Sequence, residues 1–253
     1  MKLARLLVII LPLLTWLLGQ AYLIWPEFFY ISFLLAVIAV LVVVFYLRQA
    51  GPKLPWYLPA ILPLIFLFSI SVYISICTNQ WLIQGLLVVL LVFQFNYFKS
   101  LYYFWNRPDL YSDEDMKITR AYGAFLSVFW LAANIYGLQS LLNFEVWPML
   151  LIFIVLVFAL VYANLQSENY HIKTVWPFTT LITLVVSEAT WVFVFLPLNY
   201  NVSGLVIAIV FYLSRNLVYI YLQGALTPKK IKLYLITSFA GLAILLFTAK
   251  WLN

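Results

Sequence analysis

Residues 28–47 read FFYISFLLAVIAVLVVVFYL, twenty positions without a charge. A bilayer's hydrocarbon core is ~30 Å thick, and a helix rising 1.5 Å per residue needs ~20 residues to cross it. The stretch meets that length. It lacks the apolar–polar alternation of a membrane barrel strand, and lipid offers the backbone no hydrogen bonds, so the run must satisfy its own as an α-helix.

Working outward from that run, the rest of the chain repeats it. Apolar segments at residues 6–25, 56–76, 81–104, 119–142, 147–164, 176–196, 202–222 and 233–252 bring the expected number of spans to nine. The predicted fold is therefore all-α, a polytopic transmembrane helical bundle. With 253 residues, 66% of them apolar and 9% charged, the composition is far from the ~25% charged residues of soluble domains. Spans and short loops use almost every residue, so residues 1–253 read as a single integral membrane domain with no room for a soluble catalytic one.

The cations set the expected threading. With the amino terminus in the cytoplasm, twelve of the fourteen Lys and Arg residues fall on or near that side, and only Arg215 and Lys250 depart from the pattern. The opposite turns, WPEFF, CTNQW, NFEVW and LNYNVS, carry none, which is the positive-inside distribution. The carboxyl terminus is then expected outside. Trp25, Trp56, Trp81, Trp105, Trp147, Trp176 and Trp251 all fall at span ends, where indoles favour the headgroup layer. The net charge of +6 is spread over short loops, so it points to anionic lipid headgroups at the cytoplasmic face and not to nucleic acid. The bilayer, taken to be the plasma membrane, and other membrane proteins are the expected partners.

The first segment also has the basic start and small-x-small end, at Gly19 and Ala21, of a signal peptide. Its apolar run continues to Trp25, so a retained first helix is expected. Eight glycines and no GxxxG predict packing through bulky aromatics and scattered Ser, Thr, Asn and Gln, without close backbone crossings. The lone Cys77 has no partner for an intramolecular disulfide and is expected to be inert.

One carboxylate stands out. Residues 183–195, TLVVSEATWVFVF, place Glu188 ~18 Å from the cytoplasmic end of its span, close to mid-bilayer. An isolated charge at a helix centre costs at least ~2.5 kcal/mol, so the group should be neutral, paired or facing a watery cavity. Arg215 on the next span is the expected partner. It lies ~8 Å away in depth, and helical side chains lean toward their own amino-terminal ends, which brings these two toward one level. Ser187 and Asn216 flank the pair. Thr180, Thr183, Ser187 and Thr190 form a hydroxyl stripe at spacings of three and four, and Gln94, Asn96, Asn134 and Gln139 could line the same interior.

The other polar concentration is the loop at residues 105–118, WNRPDLYSDEDMKI. Ser112 can cap a helix whose first turn holds Asp113, Glu114 and Asp115, where carboxylates complement the dipole. The same loop spaces Asn106, Asp109 and Asp113 as N-x-x-D-x-x-x-D. This resembles the first aspartate-rich motif of the UbiA-type membrane prenyltransferases, which also have nine spans and a cytoplasmic active site. The resemblance implies magnesium held by these carboxylates against a diphosphate. It covers eight residues, the motif follows the fourth span where that family has it after the second, and no second aspartate-rich loop is present.

Other chemistries lack their residues. Ser203 in NVSGL would need a base within hydrogen-bond reach, and the only histidine, His171, is expected on the opposite side of the membrane. The same shortage of His and Cys removes the common zinc sites. The sequence thus favours a non-enzymatic membrane protein without a cofactor. It would either carry or bind a small or lipidic solute near Glu188 and Arg215, or serve as a membrane-embedded subunit of a larger assembly.

Overall fold

Helix ends are where local chemistry decides this fold, since the apolar runs leave the helix centres no alternative. The computed structural model describes residues 2–48, 55–106, 113–168 and 170–249. Among the described residues there are nine α-helices: α1 (Lys2–Ile24), α2 (Phe29–Arg48), α3 (Leu58–Ile76), α4 (Gln80–Asn106), α5 (Asp113–Leu142), α6 (Val146–Gln166), α7 (Ile172–Phe193), α8 (Tyr200–Leu222) and α9 (Pro228–Thr248). Each is long and apolar enough to cross a membrane. The expected all-helical, nine-span architecture is present, and the helices differ from the sequence-derived spans chiefly at their ends.

Those differences have identifiable causes. Thr227 caps α9, its hydroxyl accepting the Lys230 N–H at 3.4 Å with Pro228 in the first turn, so the helix starts five residues before the apolar run does. The Asn199 side chain accepts the Asn201 N–H at 2.9 Å and opens α8. At the other ends, Asn143 (φ 53°) and Gly224 (φ 65°) take the left-handed conformation and stop α5 and α8. Beyond Gly224, the Ala225 N–H reaches back to the Ile220 carbonyl at 3.1 Å, the six-to-one bond that closes the α8 terminus.

The chain forms two compact units, Met1–Ala124 and Phe125–Asn253. In the first, α1 packs on α2 and α4, and α3 packs on the same two, so four helices close into a ring. Its core is aromatic. Phe66 and Phe93 stack with ring centroids 3.8 Å apart, and the fully buried Tyr97 donates its hydroxyl to the Pro59 carbonyl at 2.7 Å. Gly123, in the first turns of α5, leaves room for the Phe93 ring, which a Cβ there would strike.

In the second unit α6, α7, α8 and α9 pack in chain order. The carboxyl-terminal part of α5 meets α7, where Tyr136 donates its hydroxyl to the Thr190 carbonyl at 2.9 Å. It also meets α8 at Gly204. A Cβ there would lie 2.9 Å from the Ala133 Cβ and 3.0 Å from the Phe129 carbonyl oxygen. This corrects the expectation that close backbone approaches are absent: one Gly facing one Ala produces the contact that a GxxxG repeat would have announced.

Gly204→Ala should therefore destabilise the protein by ~1–3 kcal/mol, because the obstructing atoms are backbone and Cβ and cannot swing aside. Gly85, with nothing within 4 Å of its would-be Cβ, supplies the contrast: Gly85→Ala should be neutral or stabilise α4 by up to ~1 kcal/mol. Thermal unfolding of the two variants in the same detergent checks both.

Candidate functional site

The α7 helix positions the carboxylate that the sequence singles out. Glu188 lies five residues before the end of α7 at Phe193, ~8 Å along the axis from that end. It is therefore shallower than the mid-bilayer depth expected from the apolar run, which continues past the helix into the turn at residues 194–196. Trp191, one turn beyond Glu188, packs on Trp147 with centroids 4.2 Å apart and on Phe195 at 5.1 Å. These rings suit the headgroup boundary.

Glu188 is exposed. On the same face lie Leu181, Leu184, Val185 and Val192, between 37% and 57% exposed, at seven, four and three residues before Glu188 and four after it. These spacings form one continuous helical stripe. The carboxylate thus sits in the middle of an outward apolar surface, and it meets no cationic partner among the described residues.

Arg215 is half-buried on α8, fifteen residues from that helix's start at Tyr200, or ~22 Å along its axis. Measured from the helix ends that the loop at residues 194–199 joins, Glu188 and Arg215 differ by ~15 Å in axial position, wider than the ~8 Å expected from the apolar runs. The geometry does not join them. Ser187 is half-buried and Asn216 likewise.

The hydroxyl stripe divides between the two faces of α7. Thr179, Thr183 and Thr190 are buried, whereas Thr180 is exposed. Most of these hydroxyls serve their own helix: Thr179 donates to the Val175 carbonyl at 2.8 Å, Thr180 to Trp176 at 3.0 Å, Ser187 to Thr183 at 2.6 Å and Thr190 to Val186 at 2.8 Å. Only the buried Thr183 hydroxyl lacks a partner. The amides also separate. Gln94 is fully buried in the first unit, where it accepts a hydrogen bond from Thr15 of α1, while Asn134 is buried in the second and Asn96 is exposed. The cavity beside Thr15, about 40 Å³, is far below the ~300 Å³ of the smallest ligand sites. Sequence reasoning missed the Thr15–Gln94 link because nothing in either span's pattern marks which helices become neighbours.

In the acidic loop, Asp109 and Ser112 lie outside the described residues. Asn106 ends α4, with its side-chain amide donating to the Tyr102 carbonyl at 3.1 Å. Asp113 begins α5, which puts the run Asp113, Glu114, Asp115 in the first turn. Among the described residues, no three His, Cys, Asp or Glu side chains gather as a metal site.

Nine helices among the described residues, each long and apolar enough to cross a bilayer, define the class: a polytopic integral membrane protein. It matches no protein-family description, no curated protein and no solved structure, so function is to be read from its own surfaces.

Since Ser187 and Thr180 bond only their own helix, Ser187→Ala and Thr180→Ala should change stability by well under the ~0.6 kcal/mol typical of an interhelical bond, whereas Tyr136→Phe should cost that amount or up to ~1.7 kcal/mol. Equilibrium unfolding in mixed micelles distinguishes the two groups.

Proposed function

We propose that the protein acts without catalysis as a membrane-embedded subunit of a larger assembly, and that the outward stripe of α7 docks a transmembrane helix of the partner. The observation that carries this reading is the position of Glu188 at the centre of the stripe Leu181, Leu184, Val185 and Val192. A carboxylate turned toward hydrocarbon is costly, and polar groups within spans usually face the interior of a bundle. A helix that covers the stripe converts this outward position into an interior one.

The partner's chemistry follows from the stripe. It needs an apolar face with one cation or hydrogen-bond donor, such as Lys, Arg, Asn or Gln, at the level of Glu188. One polar position inside an apolar seam contributes little affinity but fixes register and partner choice, because every misaligned pairing leaves the carboxylate unsatisfied. The apolar residues supply contact area, and Glu188 supplies specificity.

A solute-carrying role would instead place Glu188 in a path for the substrate. Glu188 stands exposed among the outward apolar side chains of α7, which favours the assembly reading.

A photo-activatable residue at Leu184, in membranes of the native host, tests the reading. A discrete protein adduct is expected, reduced at least about tenfold by Glu188→Leu and retained in part by Glu188→Gln, since an amide still accepts a hydrogen bond. Adducts with lipid alone, or variants that alter a pH-dependent flux while leaving the adduct intact, would contradict it.

A further inference from the structure

A second surface lies in the first unit, where α4 approaches the loop and α5 leaves it. The two helices, 27 and 30 residues long, measure ~40 and ~45 Å and overrun a ~30 Å hydrocarbon core by ~10–15 Å. Counted from their far ends at Gln80 and Leu142, twenty residues reach Lys99 on α4 and Gly123 on α5. From those positions onward, toward the loop that joins them, both helices run in the headgroup layer.

At that level a cavity of about 360 Å³ opens between the helices, a size at the lower end of the ~300–1,000 Å³ range of small-ligand sites. Asn96, Lys99 and Ser100 line it from α4; Asp115, Thr119 and Tyr122 line it from α5. Its lining also includes the Phe93 ring, which packs over Gly123.

The hydrogen-bonding state of these groups points to a ligand. Ser100 is only 7% exposed, yet among the described residues its hydroxyl has no partner, and it faces the cavity. Lys99 and Asp115 line the same space without forming an ion pair with each other; the Lys99 ammonium lies 6.0 Å from the Phe95 ring. Thr119 already donates its hydroxyl proton to the Asp115 carbonyl at 2.9 Å, so toward the cavity it can only accept. The nearby Arg120 is buried beside Tyr97 and is not among the lining residues, leaving Lys99 as the cation in the lining.

We propose that this groove binds the headgroup of a phospholipid that carries a primary ammonium, with Lys99 and Ser100 on the phosphate and Asp115 and the Thr119 oxygen on the ammonium. The chemistry required is a phosphate ester joined by a short link to an amine. A purely anionic headgroup meets repulsion from Asp115, and a purely cationic group meets it from Lys99. A zwitterion satisfies both charges, donor to acceptor, in a layer where each lone charge would otherwise depend on water alone. The position between two helices at the headgroup level lets acyl chains extend along the exposed apolar faces below.

The test uses the full chain in detergent, with native mass spectrometry reading lipid retention from equal mixtures of phosphatidylethanolamine and phosphatidylglycerol. The amine-bearing lipid should be retained at least about fivefold over phosphatidylglycerol. Asp115→Asn should abolish that preference, Asp115→Glu should keep it, and Lys99→Gln should lower retention of both lipids about tenfold, in keeping with loss of a charge-assisted bond. Ser100→Ala removes only an unpartnered hydroxyl, so it keeps the fold and should still weaken retention severalfold. Equal retention of the two lipids, or a preference unchanged in Asp115→Asn, would overturn the site. Soluble glycerophosphoethanolamine separates the two sources of this chemistry: failure to displace the lipid supports a membrane ligand, and displacement at comparable concentration would overturn that in favour of a water-soluble ester.

Discussion

Hydrocarbon accepts and donates no hydrogen bonds, and the structure depends on that constraint throughout. It forces every apolar run into a helix whose backbone is complete in itself. It also leaves the outer surface with nothing to satisfy except side chains. Against such a surface, each outward polar group is an exception with a cost.

The polar groups of this protein sort by that criterion. Several of those turned inward are met nearby, the Gln94 amide oxygen by Thr15, the Thr190 carbonyl by Tyr136 and the Tyr97 hydroxyl by the Pro59 carbonyl, while the buried Gln94 Nε2 and Thr183 hydroxyl have no partner among the described residues. These bonds select which helices are neighbours. Glu188 and the groove of Lys99, Ser100 and Asp115 belong to the other group, with hydrogen-bonding capacity turned toward the surroundings. Their surroundings differ: Glu188 stands among the exposed apolar side chains of α7, to which another helix is the natural complement, whereas the groove gathers a cation, a carboxylate and hydroxyls, to which a small charged group is the complement.

The helices were legible in the sequence because apolar length alone specifies them; α2, for instance, starts and ends within one residue of the uncharged run at residues 28–47. Boundaries set by capping were less so. Apolar residues continue through 194–196 after α7 has already ended, and this made Glu188 look deeper than it is. Its outward direction was not legible either, since hydroxyls on both sides of α7 made the polar face ambiguous until Thr179, Thr183 and Thr190 proved to be the buried ones. The groove left one readable trace, that helices of 27 and 30 residues exceed the bilayer. The sequence places Asp115 in the first turn of α5, but nothing in it marks Lys99 of α4 as lining the same groove. The close contact at Gly204 left no trace, because its other half is Ala133 on a helix about seventy residues earlier.

The central claim, that the α7 stripe is covered in the membrane where the protein works, is open to a direct measurement. The single native cysteine, Cys77, sits just beyond α3, and burial raises its thiol's pKa; replacing it with Ser leaves a background for site-specific spin labels at Leu184 and Val192. Collision accessibility to a lipid-soluble relaxant should be low at both positions in native membranes and should rise severalfold once the chain is purified alone into lipid nanodiscs. Equal, high accessibility in both settings would mean that the stripe faces lipid throughout, and docking through Glu188 would be contradicted.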